Sequence, residues 1–296
     1  MLGFLLLDKS QGITSFGAVS QIKRLTREKR VGHTGTLDPM ATGVLPILIG
    51  KATVLSQYLI DADKGYSATV KLGISTDSCD ITGQVISSCD VKISDFDVEN
   101  VLQSFLGKQM QTPPMYSAIK QNGVRMYELA RKGEVVDIPA REIEVFSLDK
   151  TSKINEQNEF DIDCLVSKGT YIRSLCRDIG AKLGCGATLT RLCRTKTAMF
   201  PLEKCVKLDD LTAENIGDYI LPCDLAVDYM PSIQVSEKQA IRFCNGGQLS
   251  LDRIKYDKFT DGDIYRVYYC DKFLGLGLAD IKENILKIEC LVDRVV

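Results

Sequence analysis

Between Gly32 and Gly50 the chain reads GHTGTLDPMATGVLPILIG. Glycines at 32, 35 and 43 and a proline at 39 break up its first twelve residues. Glycine pays the largest entropy on entering a regular element, and proline removes a backbone donor. That half therefore suits neither a helix nor a strand. The half that follows, Val44 to Gly50, is apolar enough for a buried strand, with Pro46 placing it at a sheet edge or a bulge. The fold must accommodate an irregular loop feeding straight into a core strand. That loop holds the only histidine of the chain, His33, and a carboxylate, Asp38, among small residues that let a bulky ligand approach the backbone.

Spacing alone leaves several readings open. Asp38 before Pro39 makes a good helix N-cap with proline at the first helical position. Gly43 and Pro46 leave room for scarcely more than one turn of it. The glycines suit tight turns, and His33 suits a satisfied core position. A Walker loop fails, because Gly43 to Lys51 has the wrong spacing and Ala52 stands where Ser or Thr belongs. Gly32 to Gly35 has the form of the GXXG clamp of KH domains, a four-residue signal. No glutamate pair, Ser/His/Asp order or metal cluster stands out elsewhere. In an enzyme, Asp38 is the outstanding carboxylate nucleophile or base.

The rest of the chain reads as strands with helices interspersed. MLGFLLLDK begins as a buried strand, since Asp8 cuts the apolar run too short for a signal peptide and no basic segment precedes it. Thr14-Ser15 caps a helix with Phe16, Val19, Ile22 and Leu25 on its apolar face. Gly65 to Gly73 alternates as a half-buried strand, Asp77 to Gly83 is turn-rich, and Val98 to Leu106 is a short amphipathic helix. Met110 to Val145 reads as an excursion between two strands, with a helix-like VRMYELARKGE inside it. Phe160 to Val166 alternates again. Ile172, Leu175, Cys176, Ile179 and Leu183 then switch to helical period, with Thr170 as the cap. RLCRTKTAMF is the last core strand. From Met230 onward one helix, Glu237 to Cys244, precedes NGGQL and the strands IYRVYYC, FLGLGLA and ILKIECLV. The absence of a regular βαβα alternation predicts an α+β fold on a mixed, largely antiparallel sheet, followed by a small β-rich domain. The expected boundaries are 1–229, with an excursion at about 110–145, and 230–296.

A chain of 296 residues with 45% hydrophobic content has ample material for a core. No run of some eighteen apolar residues is available to span a membrane. Eleven cysteines, an odd number without a Cys-x-x-Cys pair, and one histidine fit free thiols in a reducing cytoplasm rather than a zinc site. The net charge of −2 argues on average against nucleic acid. Locally, however, Lys168 to Lys196 carries seven basic residues against Asp178, and Lys23 to Arg30 carries five against Glu28. These are either solvated helix faces or a local positive field.

GHTGTLDPMATGVLPI strongly resembles the catalytic motif of TruB-type pseudouridine synthases, which isomerise the T-loop uridine at tRNA position 55. KSQGITS, from Lys9 to Ser15, is similar to the family's N-terminal motif, with Ser10 where a proline is usual. KGYSATVKLG, GISTDSCDITG, TPPMYSAIKQNGVRMYELAR, SKGTYIRSLCRDIG and LTRLCRT resemble further motifs in the family's order. The resemblance spans about residues 2 to 200, and the C-terminal part is similar to a small PUA-type RNA-binding domain through NGGQL and its strand pattern.

This resemblance implies an enzyme that breaks the N1–C1′ bond of uridine, rotates the uracil and joins C5 to C1′. Nothing is oxidised or hydrolysed in net, so no metal and no organic cofactor is expected. It assigns Asp38, Tyr66 and Arg173 to catalysis. Asp38 is the essential carboxylate, acting at C1′ or C6. Tyr66 stacks on the flipped base and helps proton transfer at C5. Arg173 pairs with Asp38 and keeps it ionised, as an adjacent arginine lowers a carboxylate pKa by roughly 1–3 units. Substrate contacts are expected from His33, which fills the space the base vacates, and from Tyr171 and Leu192, which wall the pocket. Lys9, Gly32, Thr34, Gly35, Lys120 and Lys168 complete the expected RNA-binding set. The basic residues of 168–196 and 23–30 would meet phosphates. The expected partner is the T-arm of tRNA, reached by a monomeric cytoplasmic protein without membrane, guide RNA or obligatory protein partner. A guide-RNA-dependent relative of the dyskerin type, a non-catalytic RNA binder and a hydrolase releasing free uracil are the alternatives.

Overall fold

The computed structural model describes residues 1–116, 120–121, 124–126 and 138–294. Its centre is one large sheet. In chain order its main strands are β1 (Gly3–Lys9), β2 (Val31–His33), β3 (Thr42–Ile49), β4 (Lys64–Leu72), β5 (Gly107–Gln111), β6 (Arg141–Lys150), β7 (Glu159–Val166), β8 (Ala187–Thr197) and β9 (Val206–Lys207). Along the sheet they run β9-β1-β3-β8-β4-β7-β6-β5, with β2 also on β3. Only the β1–β9 and β3–β8 pairs are parallel. The sheet is thus mixed and largely antiparallel, as expected.

Helix α1 (Ser15–Thr26) is capped by the Thr14 hydroxyl, which accepts from the Gly17 N–H. It packs on Ala18, Val19 and Ile22, whereas Phe16, expected on the apolar face, is 70% exposed. The buried stripe runs through Ser15, Ala18, Val19, Ile22 and Thr26, and Phe16 projects roughly 100° to the side of it. A second helix, α2 (Ser56–Ile60), leads into β4. Helix α3 (Asp95–Gln103) carries a capping box of Ser94 with Asp97. Helix α4 (Ile172–Leu183) buries Ile172, Leu175, Cys176 and Ile179 and ends at Gly184, whose φ of 77° suits a residue without a side chain. Tyr171, not Thr170, is its N-cap; the Thr170 hydroxyl instead donates to the Ser167 carbonyl.

Pro46 departs from its expected place. It lies in an interior strand, paired with Leu6 of β1 on one side. On the other side β2 ends at His33 opposite Ile47, and β8 pairs only at Thr42 and Gly43. Pro46 falls between these two partners, where its carbonyl accepts from Thr34 and no neighbour requires its missing N–H.

The excursion after Met110 opens and closes on adjacent strands, because Gln111 of β5 pairs with Arg141 of β6. Within it Lys120–Gln121 and Val124–Arg125 form a short antiparallel pair. The side chain of Lys120 and most of the helix-like VRMYELARKGE lie outside the described residues.

A second sheet follows from Ser232. Its strands are β10 (Ser232–Gln234), β11 (Leu249–Ser250), β12 (Ile264–Tyr269), β13 (Lys272–Asp280) and β14 (Ile285–Leu291), ordered β10-β12-β13-β14-β11. Helix α5 (Glu237–Cys244) covers it as the pattern predicts. Phe273, Leu276 and Val292 of this part share one apolar cluster with Phe4, Leu6, Leu48 and Leu55 of the first. No helix among the described residues is long and apolar enough to cross a membrane. Among them all eleven cysteines are free, and no group of His, Cys, Asp and Glu is placed to hold a metal ion.

Candidate active site

The Asp38 loop is held from behind by the segment that follows β1. The Ser15 hydroxyl accepts from the Leu37 N–H at 2.8 Å and reaches its carbonyl at 3.1 Å. Gly12 N–H donates to the Pro39 carbonyl at 2.7 Å. Lys9 is fully buried, and its ammonium donates to the carbonyls of Ser10 and Ile13, with Pro39 at 3.5 Å. Burial pushes this lysine down to about 8, against the pull of Asp38. Lys9 therefore braces the loop from within the fold. After Asp38 the chain makes a single turn, with Ala41 N–H on the Asp38 carbonyl, and Thr42 already begins β3. The N-cap reading of Asp38-Pro39 thereby fails.

Gly43 is where β3 and β8 touch. Its φ is 102°, and a Cβ built there would lie 2.2 Å from the Arg194 carbonyl oxygen. Any side chain would prise the two strands apart at their only pairing.

Asp38 opens into a cavity of about 300 Å³ bounded by Gly35, Leu37, Lys64, Tyr66, Tyr116, Tyr171, Arg173, Leu192 and Arg194, among others. Arg173 lies on the first turn of α4 and is 4% exposed. It grips Asp38 with two nitrogens, Nε to Oδ2 at 2.9 Å and Nη2 to Oδ1 at 3.2 Å. The remaining donors reach the carbonyls of Ser78 (3.2 Å) and Tyr116 (2.9 Å), and Asp80 Oδ2 lies 3.6 Å away. Residues 135 positions apart are thus joined in the forked geometry that arginine and carboxylate favour.

Arg173 pulls the Asp38 pKa down, as expected, but does not set its net direction. Burial raises the Asp38 carboxyl above its ordinary value; Arg173 opposes this without reversing it, and Asp80 adds to the rise. Tyr66 also lines the cavity. Burial raises its phenol, while the Arg194 guanidinium, hydrogen-bonded to it, pulls the other way. Tyr171 is fixed through its backbone: its N–H donates to Gln111 Oε1 at 2.8 Å and its carbonyl accepts from Gln111 Nε2 at 3.1 Å.

The other expected residues divide. Leu192 and Gly35 line the cavity with Asp38, Tyr66, Tyr171 and Arg173. His33 does not; it stands half-buried at the end of β2, with Nδ1 accepting from the Gly35 N–H at 3.3 Å. Burial, then Arg194, lowers its pKa, so the imidazole is neutral with its proton on Nε2. Thr34 is fully buried, and neither it nor Gly32 lines the cavity. Lys168 is exposed and pairs with Asp61 at 3.1 Å.

Two lining residues escape a sequence reading. Arg194 sits in the basic stretch expected to meet phosphates, yet it is 1% exposed, with Nε on the Val44 carbonyl at 2.7 Å and Nη2 on the Gly35 carbonyl at 3.3 Å. Lys64 is buried too, donating to the carbonyls of Ile60 (2.9 Å) and Ala62 (2.6 Å). In sequence, the only signal was that each falls on an expected strand.

Comparison with known proteins adds independent findings. Residues 23–172 match the family model described as TruB family pseudouridylate synthase (N terminal domain). Residues 173–228 match the tRNA pseudouridylate synthase B C-terminal domain. The chain is 44% identical over 293 residues to a tRNA pseudouridine synthase B of Clostridium tetani, covering 99% of this chain and 100% of that protein. It is 42% identical over 290 residues to the tRNA pseudouridine synthase B of Trichormus variabilis, covering 97% of each. Among solved structures, a chain of a Cbf5-Nop10-Gar1 complex superposes with a TM-score of 0.75 at 26% identity, covering 99% of this chain and 85% of that one.

Proposed function

This chain belongs to the TruB family of pseudouridylate synthases, and from that premise we propose that it isomerises the T-loop uridine at tRNA position 55. The observation that carries the reading is the two-pronged Asp38–Arg173 pair in a cavity walled by Tyr66, Tyr171 and Leu192. Such a cavity, of about 300 Å³, accommodates one flipped base. Flipping costs a few kcal/mol of lost stacking, which aromatic and apolar walls replace.

In this reading Asp38 is the essential carboxylate, at C1′ or at C6. Arg173 fixes its two oxygens and compensates its charge while solvent is displaced. Tyr66 stacks on the uracil and serves proton transfer at C5. His33, neutral and one residue pair behind Gly35, shapes the loop and fills space rather than moving a proton. Lys168 and Lys120 are assigned to the RNA backbone. The chemistry leaves the redox state unchanged and consumes no second substrate, so the proposed reaction uses no cofactor.

We also propose that the protein acts on bare tRNA. Relatives 42–44% identical over nearly their whole length are named for tRNA, whereas the Cbf5 complex is a more distant match. A cytoplasmic location fits eleven free cysteines and a nucleic-acid substrate. We propose that residues 1–229 carry the catalysis and residues 230–296 add RNA affinity.

The test is incubation of the protein alone with unmodified tRNA tritiated at uridine C5. Tritium release, with pseudouridine mapped to the T loop, is the expected result. Tight binding without release would instead favour an RNA binder. Free uracil would point to a hydrolase, and release only with added guide RNA to a guided enzyme.

A further inference from the structure

Lys64 and Arg194 form a cationic corner in the cavity wall. A Cβ built on Gly35 would lie 3.4 Å from Arg194 Nη1 and 3.8 Å from Lys64 Cε, so both side chains flank one point of the Asp38 loop. Both are buried. Their hydrogen-bond acceptors are the carbonyls of Ile60, Ala62, Val44 and Gly35, with the Tyr66 oxygen beside them. Neither makes a salt bridge among the described residues, whereas Arg173 nearby is matched by Asp38 and Asp80. Two like charges held together out of water are costly. A lysine ammonium has three N–H and a guanidinium five. Lys64 spends two on carbonyls, and Arg194 spends three on Val44, Gly35 and Tyr66, so donors remain on both. Arg194 and Tyr66 are direct cross-strand partners, which puts the corner at the level of the ring that would stack on the base.

We propose that Lys64 and Arg194 donate to the carbonyl oxygens of the flipped uracil and stabilise the negative charge it acquires during the reaction. The inference rests on the isomerase reading. It does not depend on the point of attack. If the N1–C1′ bond breaks heterolytically, the electron pair goes to N1 and spreads over O2 and O4. If Asp38 adds at C6, the pair of the C5–C6 double bond spreads onto O4. Either way the ring becomes anionic; it gives up that pair when C5 bonds C1′, and the C5 proton then leaves while N1 takes one up and Asp38 is released from C1′ or C6. Preorganised donors aimed at developing charge commonly carry factors of about 10²–10³ each. Lys64, lowered to about 8 first by burial and then by Arg194, remains largely protonated at neutral pH.

The experiment is single-turnover conversion of a T-arm stem-loop by wild type, Lys64→Met and Lys64→Gln, with RNA affinity measured separately. Lys64→Gln keeps an N–H for the Ile60 and Ala62 carbonyls, so it serves if the methionine variant does not fold. The expected result is a rate on bound RNA reduced about 100-fold or more, with affinity within a few-fold of wild type. Lys64→Arg should restore much of the rate. The same series is then run on RNA with 5-fluorouridine at the target, where the readout is formation of the C5–C1′-linked fluorinated adduct, since fluorine cannot leave C5 as the proton does. Fluorine makes the ring carry negative charge more readily, so the gap between wild type and Lys64→Gln should shrink. An affinity loss with an unchanged rate would overturn the proposal and make the corner a phosphate site. An equal gap on both RNAs would overturn it as well. If wild type fails to convert even the unmodified RNA, the isomerase reading itself falls.

Discussion

Asp38 stands under two opposed influences, and their balance sets its working range. Burial favours the protonated acid, while the Arg173 fork favours the carboxylate. Burial wins, so the group titrates above its ordinary 3.8. The carboxylate is the working form. Activity on bound RNA should therefore fall as pH drops through that raised value. Arg173→Met should move the acid limb further up, because only the lowering influence is removed; an unmoved limb in a folded variant would detach Arg173 from Asp38's charge. Asp38→Asn should abolish tritium release while leaving RNA affinity within a few-fold, and near-normal release would end the assignment. His33 gives the contrasting case. It sits behind Gly35, outside the cavity, and is neutral at physiological pH. His33→Ala should slow turnover by roughly tenfold at most, in keeping with lost packing rather than a lost proton carrier. A variant as inactive as Asp38→Asn would give the imidazole a chemical role.

Elements bring these residues together through a few backbone approaches. β3 and β8 pair only at Thr42–Gly43 with Cys193–Arg194, and that crossing joins the Asp38 loop to Arg194. Gly43→Ala sets a methyl 2.2 Å from the Arg194 carbonyl at a φ of 102°. It should cost about 3 kcal/mol of stability and misplace Asp38 as well. An unchanged Tm would mean the crossing yields more easily than its geometry implies. At the other end of the site, Gln111 of β5 holds both backbone groups of Tyr171, the residue that starts α4. Gln111→Ala strands the Tyr171 N–H, whereas the Tyr171 carbonyl keeps the Leu175 N–H, at a cost on the order of 2 kcal/mol. It should lower kcat more than RNA affinity, because α4 also carries Arg173.

At the scale of the whole molecule the two sheets are not separate bodies on a string. Phe273, Leu276 and Val292 lie in one cluster with Phe4, Leu6 and Leu48, and Met230 lies in it as well. A cut at residue 229 therefore divides an apolar core rather than a linker. Each large side chain so uncovered costs about 1.5–3 kcal/mol. A 1–229 fragment should melt roughly 10 °C or more below the full chain, at 2–4 °C per kcal/mol. A fragment with the parent's Tm would show that the first part is self-sufficient. The proposed RNA contribution of 230–296 is better tested by charge reversal on the exposed face of α5, such as Lys238→Glu, than by truncation. Weaker tRNA binding with unchanged turnover of bound RNA is the expected outcome.

Local pattern was enough for the elements whose period is decided by near neighbours. Alternation around Tyr66, Ala68, Val70 and Leu72 gave β4, and helical spacing from Ile172 to Leu183 gave α4. Motif resemblance pointed to Asp38, Tyr66 and Arg173 because those residues recur in a fixed order. Burial and charge balance were not legible. Arg194 and Lys64 read as ordinary basic residues, since exposure depends on which strands flank them. Arg194 is enclosed only because β8 lies between β3 and β4. Pro46 read as an edge marker, since chain order does not reveal that β2 stops one residue before it would need the missing N–H. The direction of the Asp38 shift was likewise a tertiary outcome. Sequence supplies the arginine that lowers it, whereas only the folded cavity removes enough water for desolvation to prevail.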